Sequence, residues 1–221
     1  MGKLENSAMI QSVSELISLS LAFLLIFRTI SFALADDGTD EASPTEYRYE
    51  LATSPDAAFV YENTHYFEII FPESLSYTYK LRRAKDFGND FDREYKKIRM
   101  VIAEPIEACS PIINNVERAV AFILRGGCSF LTKSRQVEKA GAVAVIVADN
   151  DEENDEYMID MVDDSTGRSV EIPSLFLMGK DGMMIRRNLM LEGLDEAIIN
   201  IPVNLTGIPI GAAKQPPWTL W

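Results

Sequence analysis

Residues 119–149 read AVAFILRGGCSFLTKSRQVEKAGAVAVIVAD, and the fold is decided in this stretch. Residues 120–124 and 143–147 are uninterrupted apolar runs rich in β-branched side chains, the pattern of strands covered on both faces. Between them Ser129 can cap a helix in which Phe130, Ser134, Val137 and Ala140 or Gly141 share one face. That phasing sends Lys133, Arg135 and Glu138 outward, and Gly141 closes the helix. Strand, glycine turn, amphipathic helix and strand together make a unit of an α/β core.

A chain of 221 residues of which 47% are hydrophobic can bury one sizeable core, so a single domain with appended segments is expected. The formal charge is −13, and the first 35 residues do not alter it, because Lys3 and Arg28 balance Glu5 and Glu15. An acidic globule is repelled by phosphate backbones and anionic headgroups, which argues against nucleic acid or a membrane surface as partner; basic peptides fit better.

Residues 16–27 form an apolar run of secretory length, and Ala33-Leu34-Ala35 offers the small-x-small pattern that signal peptidase reads. Cleavage after Ala35 is expected, with no stable membrane insertion afterwards. The competing reading is an uncleaved anchor over residues 16–35, against which stands Arg28 inside the span. Residues 36–60 begin with the acidic tether DDGTDEASPT.

The domain is expected over residues 61–206, with strands at 66–71, 76–82, 98–103, 172–178 and 197–205. The charged stretch 85–97 reads as a surface loop, and residues 105–115 as an irregular approach to the central unit. A second helix opens at Lys180 or Asp181, carries Met184, Ile185 and Leu189 inward and Arg186 and Arg187 outward, and ends at Gly193. In the last strand the alternation points Asn204, the acceptor of the one N-x-[ST] sequon, at solvent. A Pro- and Trp-containing tail occupies residues 207–221.

Two cysteines, Cys109 and Cys128, fall in the part expected beyond the membrane, where an even pair most simply forms a bridge. It would close a loop of about 20 residues and contribute roughly 3 kcal/mol. Two free thiols in a buried core are the alternative. With one histidine in the chain, the pair cannot complete a four-ligand zinc site of ordinary composition.

Residues 149–164, DNDEENDEYMIDMVDD, carry nine carboxylates. Against a calcium loop, Asp149, Asp151, Glu153, Asp155 and Asp160 take positions 1, 3, 5, 7 and 12, but Asn154 replaces the glycine and a strand precedes the loop. No metal or cofactor is expected. Catalysis is not expected either: His65 is the sole imidazole, and G-x-S-x-G, H-E-x-x-H and a glycine-rich phosphate loop are missing from the sequence.

Arg125, Gly126, Cys128 and Phe130, followed by Lys133 and Ala140-Gly141-Ala142, form the pattern R-G-x-C-x-F…K…A-G-A, which resembles the signature of the protease-associated domain. The resemblance implies a β-barrel-like β/β/α arrangement with flanking helices and a non-catalytic interaction module with an unknown protein or peptide partner. In sorting receptors of that family the equivalent loop contacts cargo, which makes Arg125, Gly126, Gly127 and Ser129 the candidate binding residues. The glycines let backbone approach a ligand, and Arg125 offers a planar fork to a carboxylate or carbonyl. The competing reading pairs Arg125 with local acids.

Overall fold

Among the described residues of the computed structural model, 63–209 and 212–219, the elements run in the order β1 (Thr64–Phe71), β2 (Thr78–Arg83), β3 (Tyr95–Ile102), β4 (Val120–Leu124), α1 (Phe130–Lys139), β5 (Ala144–Ala148), β6 (Ser174–Leu177), α2 (Gly179–Leu191) and β7 (Glu196–Ile201). The apolar leader of residues 1–35, the acidic segment 36–60 and Trp221 lie outside them.

The two apolar runs become β4 and β5, paired in parallel with Phe122 opposite Ile146. Neighbouring strands extend this sheet until it closes on itself as a barrel in the order β1-β2-β6-β5-β4-β3-β7. β3, β4, β5 and β6 are mutually parallel, while β1, β2 and β7 complete the circle through antiparallel pairs. The fold is thus mixed α/β, a barrel with two helices.

Burial on both faces follows from where the helices sit. Val120, Phe122, Ile146 and Leu177 join Phe67, Tyr79 and Ile199 in the barrel interior. Ala121, Ile123, Val145, Val147 and Phe176 belong to a second apolar cluster with Val137 of α1. Each fully buried Val, Leu, Ile or Phe among them contributes about 1.5–3 kcal/mol. α2 turns Ile185 and Leu189 into the interior cluster. It lies so close to β5 that a Cβ on Gly182 would meet the Cβ of Ala148 at 2.5 Å.

The boundaries of β1, β2 and β6 shift by one or two residues from the sequence reading, and two boundaries differ more. β3 starts at Tyr95, inside the charged stretch read as loop, because a bulge between Tyr95 and Ile98 lets Lys96 and Lys97 face solvent while the strand stays paired to β7. β7 ends at Ile201 rather than 205, since Pro202 has no N–H to continue the ladder. Asn204 is exposed even so, in a turn where its Oδ1 accepts from the Thr206 N–H at 2.8 Å.

Candidate functional site

Because β3 to β6 run parallel, their C-terminal ends lie at one end of the barrel. The segments that leave them form a rim: residues 103–119, the Arg125–Ser129 turn, the acidic loop and the start of α2. Strand ends of this kind are where α/β folds carry their sites.

The Arg125 N–H donates to the Ala148 carbonyl at 2.8 Å, which holds the turn against the end of β5. Gly127 has φ +77°, and a Cβ there would sit 2.9 Å from Glu107 Oε2 and 3.0 Å from Cys109 Sγ, so the turn accepts only glycine. Cys128 is bridged to Cys109, with Cα atoms 5.8 Å apart. The bridge ties the irregular segment after β3 to the turn.

Ser129 caps α1 as its sequence position predicts, accepting from the Thr132 N–H at 3.1 Å. Its hydroxyl also donates to Asp164 Oδ2 at 2.5 Å. That hydrogen bond, with others from Thr166 and the Arg168 guanidinium nearby, holds the Asp164 carboxyl well below the usual carboxylate range. Ser129 is therefore committed to holding the far end of the acidic loop onto α1.

Arg125 combines the two readings its sequence left open. It pairs with Asp149 Oδ1 at 3.0 Å, and that carboxylate is nearly inaccessible, yet the Arg125 side chain remains 39% exposed. Asn154 Nδ2 donates to the other Asp149 oxygen at 2.8 Å and to the Tyr157 carbonyl at 2.9 Å, while Asn154 Oδ1 accepts from the Tyr157 N–H at 2.9 Å. Asn154, where a calcium loop would carry glycine, is thus the residue that folds the loop. Together Arg125, Asn154, Tyr157 and the loop carboxylates line a shallow groove of about 390 Å³.

The five carboxylates of the calcium comparison do not converge. Asp149 faces Arg125, Asp155 binds Lys180 at 2.7 Å, and Asp160 binds Arg82 at 2.9 Å. Among the described residues no group of three His, Cys, Asp or Glu is placed to hold a metal. His65 lies on β1 beside Phe91, and burial lowers its pKa, favouring the neutral imidazole.

Lys133 corrects the helical phasing. It is completely buried, not outward: its ammonium donates to the Glu107 carbonyl and lies 3.4 Å from Cys109 Sγ. Burial pushes its pKa down. The segment that covers it is fixed by the disulfide, a tertiary effect that local periodicity does not encode.

Two further features carried no signal in sequence periodicity. Residues 212–219 dock on the barrel: the Lys214 carbonyl accepts from the Thr78 N–H at 2.8 Å, and Trp218 packs edge-to-face on Tyr77. Trp218 Nε1 and Thr219 Oγ1 donate to Oδ1 of the buried Asp181 at 2.9 and 2.7 Å. Beside the acidic groove, a second groove of about 450 Å³ runs between α2 and the segment leaving β3. Among the described residues no helix is long and apolar enough to cross a membrane.

With this geometry in place, comparison with known proteins gives a consistent family. A PA domain model matches residues 76–185. A PRADC1-like protein of Drosophila melanogaster is 42% identical over 160 residues, 71% of this chain and 82% of that protein. "Receptor homology region, transmembrane domain- and RING domain-containing protein 3" of Arabidopsis thaliana is 32% identical over 104 residues, 44% of this chain but 24% of that protein. Among solved structures, an aminopeptidase from Aneurinibacillus sp. strain AM-1 superposes with a TM-score of 0.45 at 17% identity, covering 63% of this chain and 30% of the other.

Proposed function

The chain belongs to the PA-domain family, and from that premise we propose that it is a secreted, N-glycosylated, non-catalytic module whose one PA domain binds a peptide or protein partner in the secretory pathway or outside the cell. The observation that carries this reading is the rim itself. Four parallel strands end on one face, and the loops there are fixed by the disulfide, the Ser129–Asp164 hydrogen bond and the Arg125–Asp149 pair. A loop surface held this firmly binds without first being ordered, which lowers the cost of association.

The turn contributes Arg125 with Gly126 and Gly127. Asp149 takes one edge of the guanidinium, and the exposed remainder can donate to a partner's backbone carbonyls. Ser129 supports the turn from behind, its hydroxyl being engaged by Asp164. The acidic groove beside Arg125 favours a partner with basic side chains. Export is supported by the leader pattern and by the exposure of Asn204.

The test is made on protein expressed in secretory cells. Protein from the medium should begin at Asp36 and carry one glycan, lost in Asn204→Gln and on N-glycosidase treatment. Immobilised protein should retain a reproducible partner from conditioned medium, identified by mass spectrometry, and Arg125→Ala should release most of it while still being secreted. Retention of the whole protein in alkali-resistant membranes, or identical capture by wild type and Arg125→Ala, defeats the corresponding part of the proposal.

A further inference from the structure

α2 carries two stripes. Gly182, Ile185 and Leu189 are buried against the barrel. Adjoining this stripe, Met183, Arg186, Arg187 and Met190 follow one another at i, i+3, i+4 and i+7, the spacing of a single continuous helical face. With Ile102 and Ile106 they line the groove beside the acidic loop, and Met190 is 73% exposed. Glu152 also lines this groove, and its contact with Arg186 is the one ion pair that either arginine makes among the described residues.

The ionic contacts sharpen the point. Among the described arginines, Arg82, Arg83, Arg99, Arg125 and Arg168 each meet a carboxylate within 3.0 Å. Arg186 reaches the exposed carboxylate of Glu152 only at 3.9 Å. Arg187 is exposed and meets no carboxylate, carbonyl or aromatic ring among the described residues. Methionine is unbranched and polarizable, and adapts to apolar side chains of different shape. Guanidinium beside it supplies a planar fork for a carboxylate.

We infer that this groove docks an extended apolar peptide segment carrying one carboxylate, the apolar side chains lying on Met183, Met190, Ile102 and Ile106 and the carboxylate on Arg187 with Arg186. The inference rests on the proposed role as a peptide-binding module and deepens it by naming a partner chemistry. It also divides the rim by charge: the groove at Arg125 and the acidic loop repels a carboxylate, and the groove on α2 attracts one. A partner bearing both signs would be held in one direction along the rim.

Full-length protein with 13C-labelled methionine methyls reports on the groove directly through Met183 and Met190. The probes are a blocked octapeptide of Leu, Phe and Ser with one central Glu, and its Gln and Lys counterparts. The Glu peptide should shift both methyls saturably and bind on the order of fivefold more tightly than the Gln peptide. Arg187→Glu should weaken the Glu peptide by about tenfold and improve the Lys peptide, with thermal unfolding unchanged because the residue is exposed. Arg125→Ala should leave Glu-peptide binding intact. Equal binding of the three peptides, no movement of the two methyls, or stronger engagement by vesicles of anionic lipid than by the Glu peptide overturns the inference. If Glu-peptide binding is lost in Arg125→Ala and kept in Arg187→Glu, the interaction belongs to the turn: the proposed function then stands and this groove does not.

Discussion

Each helix buries one ionisable side chain completely, and the two are satisfied in different ways. On α1, Lys133 sends its ammonium to the Glu107 carbonyl in a segment that a disulfide holds in place. On α2, Asp181 receives two hydrogen bonds on Oδ1 from the docked tail, while Oδ2 is buried with no hydrogen-bond partner. In both cases burial is the main cause of the shift, and in both it favours the neutral form: the Lys133 pKa falls and the Asp181 pKa rises. A covalent staple from a distant segment secures one site, and an aromatic tail closes the other. At both helices, then, the barrel depends on chain that neither helix predicts.

Removing the staple should have the largest effect. Cys109→Ala with Cys128→Ala should lower unfolding free energy by about 2–5 kcal/mol, measured by denaturant titration, because a loop of about 20 residues regains its freedom in the unfolded chain. The same variant should make the Lys133 amine reactive to acylating reagents as the covering segment loosens. Loss of stability with Lys133 still fully protected would separate the bridge from the burial of the lysine.

Next in size is the tail. Trp218→Ala removes an indole packed on Tyr77 and one of the two donors to Asp181. The lost apolar contact and the weakened hydrogen bonding of a buried carboxyl together should cost about 2–3 kcal/mol. An effect below about 0.5 kcal/mol would mean that the tail rests on the barrel without closing it.

These dependences explain how far the sequence could be read. β4, β5 and the Ser129 cap were legible because each is written within a few residues: two β-branched runs, and a serine at a helix start with its Thr132 N–H in reach. On α2, Ile185 and Leu189 were legible for the same reason, through their spacing, whereas Met184, expected inward with them, is only half-buried. Lys133 was not, because its inward position depends on Glu107 and Cys109 being brought across the helix from 24 or more residues away. Asp181 was read only as a helix start, since its partners lie in a tail whose composition gives no periodicity. Arg125 could be named but not decided: the sequence supplied acids on every side, and only the fold selects Asp149. A consecutive Arg186-Arg187 looked like an ordinary solvated face, and its separation from every strong carboxylate contact is a property of packing.

Asp181 then gives a pH-dependent test. Its folded pKa is raised above that of the unfolded chain, so its favourable contribution is fully present below the ordinary carboxylate pKa and is lost as pH rises through the folded value. Asp181→Asn keeps an acceptor for Trp218 and Thr219 and cannot ionise. At neutral pH it should therefore be more stable than wild type by about 1 kcal/mol, with the advantage vanishing in acid. A variant less stable than wild type at neutral pH would show that the carboxylate charge is itself used by the tail.

Lys133 provides the smallest and most discriminating effect. Its folded pKa is depressed, so its contribution is fully present above the unfolded amine pKa and is lost as pH falls through the folded value, the mirror image of Asp181 at the other end of the scale. Methionine has similar length, fills the same buried channel without a charge to desolvate, and gives up only the donation to the Glu107 carbonyl. The Glu107 carbonyl loses this donor at a cost of about 1–3 kcal/mol. The loss of a hydrogen bond and the relief of desolvation nearly offset, and Lys133→Met should lie within about 1 kcal/mol of wild type at neutral pH. Its stability should rise less with pH toward the alkaline range than the wild-type value does, Lys80, whose pKa burial also lowers, supplying what remains. A loss above about 3 kcal/mol, with the alkaline slope unchanged, would mean that the ammonium is held charged by the turn and the bridge rather than tolerated among them. Lys133 would then have to be counted with the disulfide as part of what fixes the rim, and the contrast between a stapled site and a closed one would dissolve at α1 first.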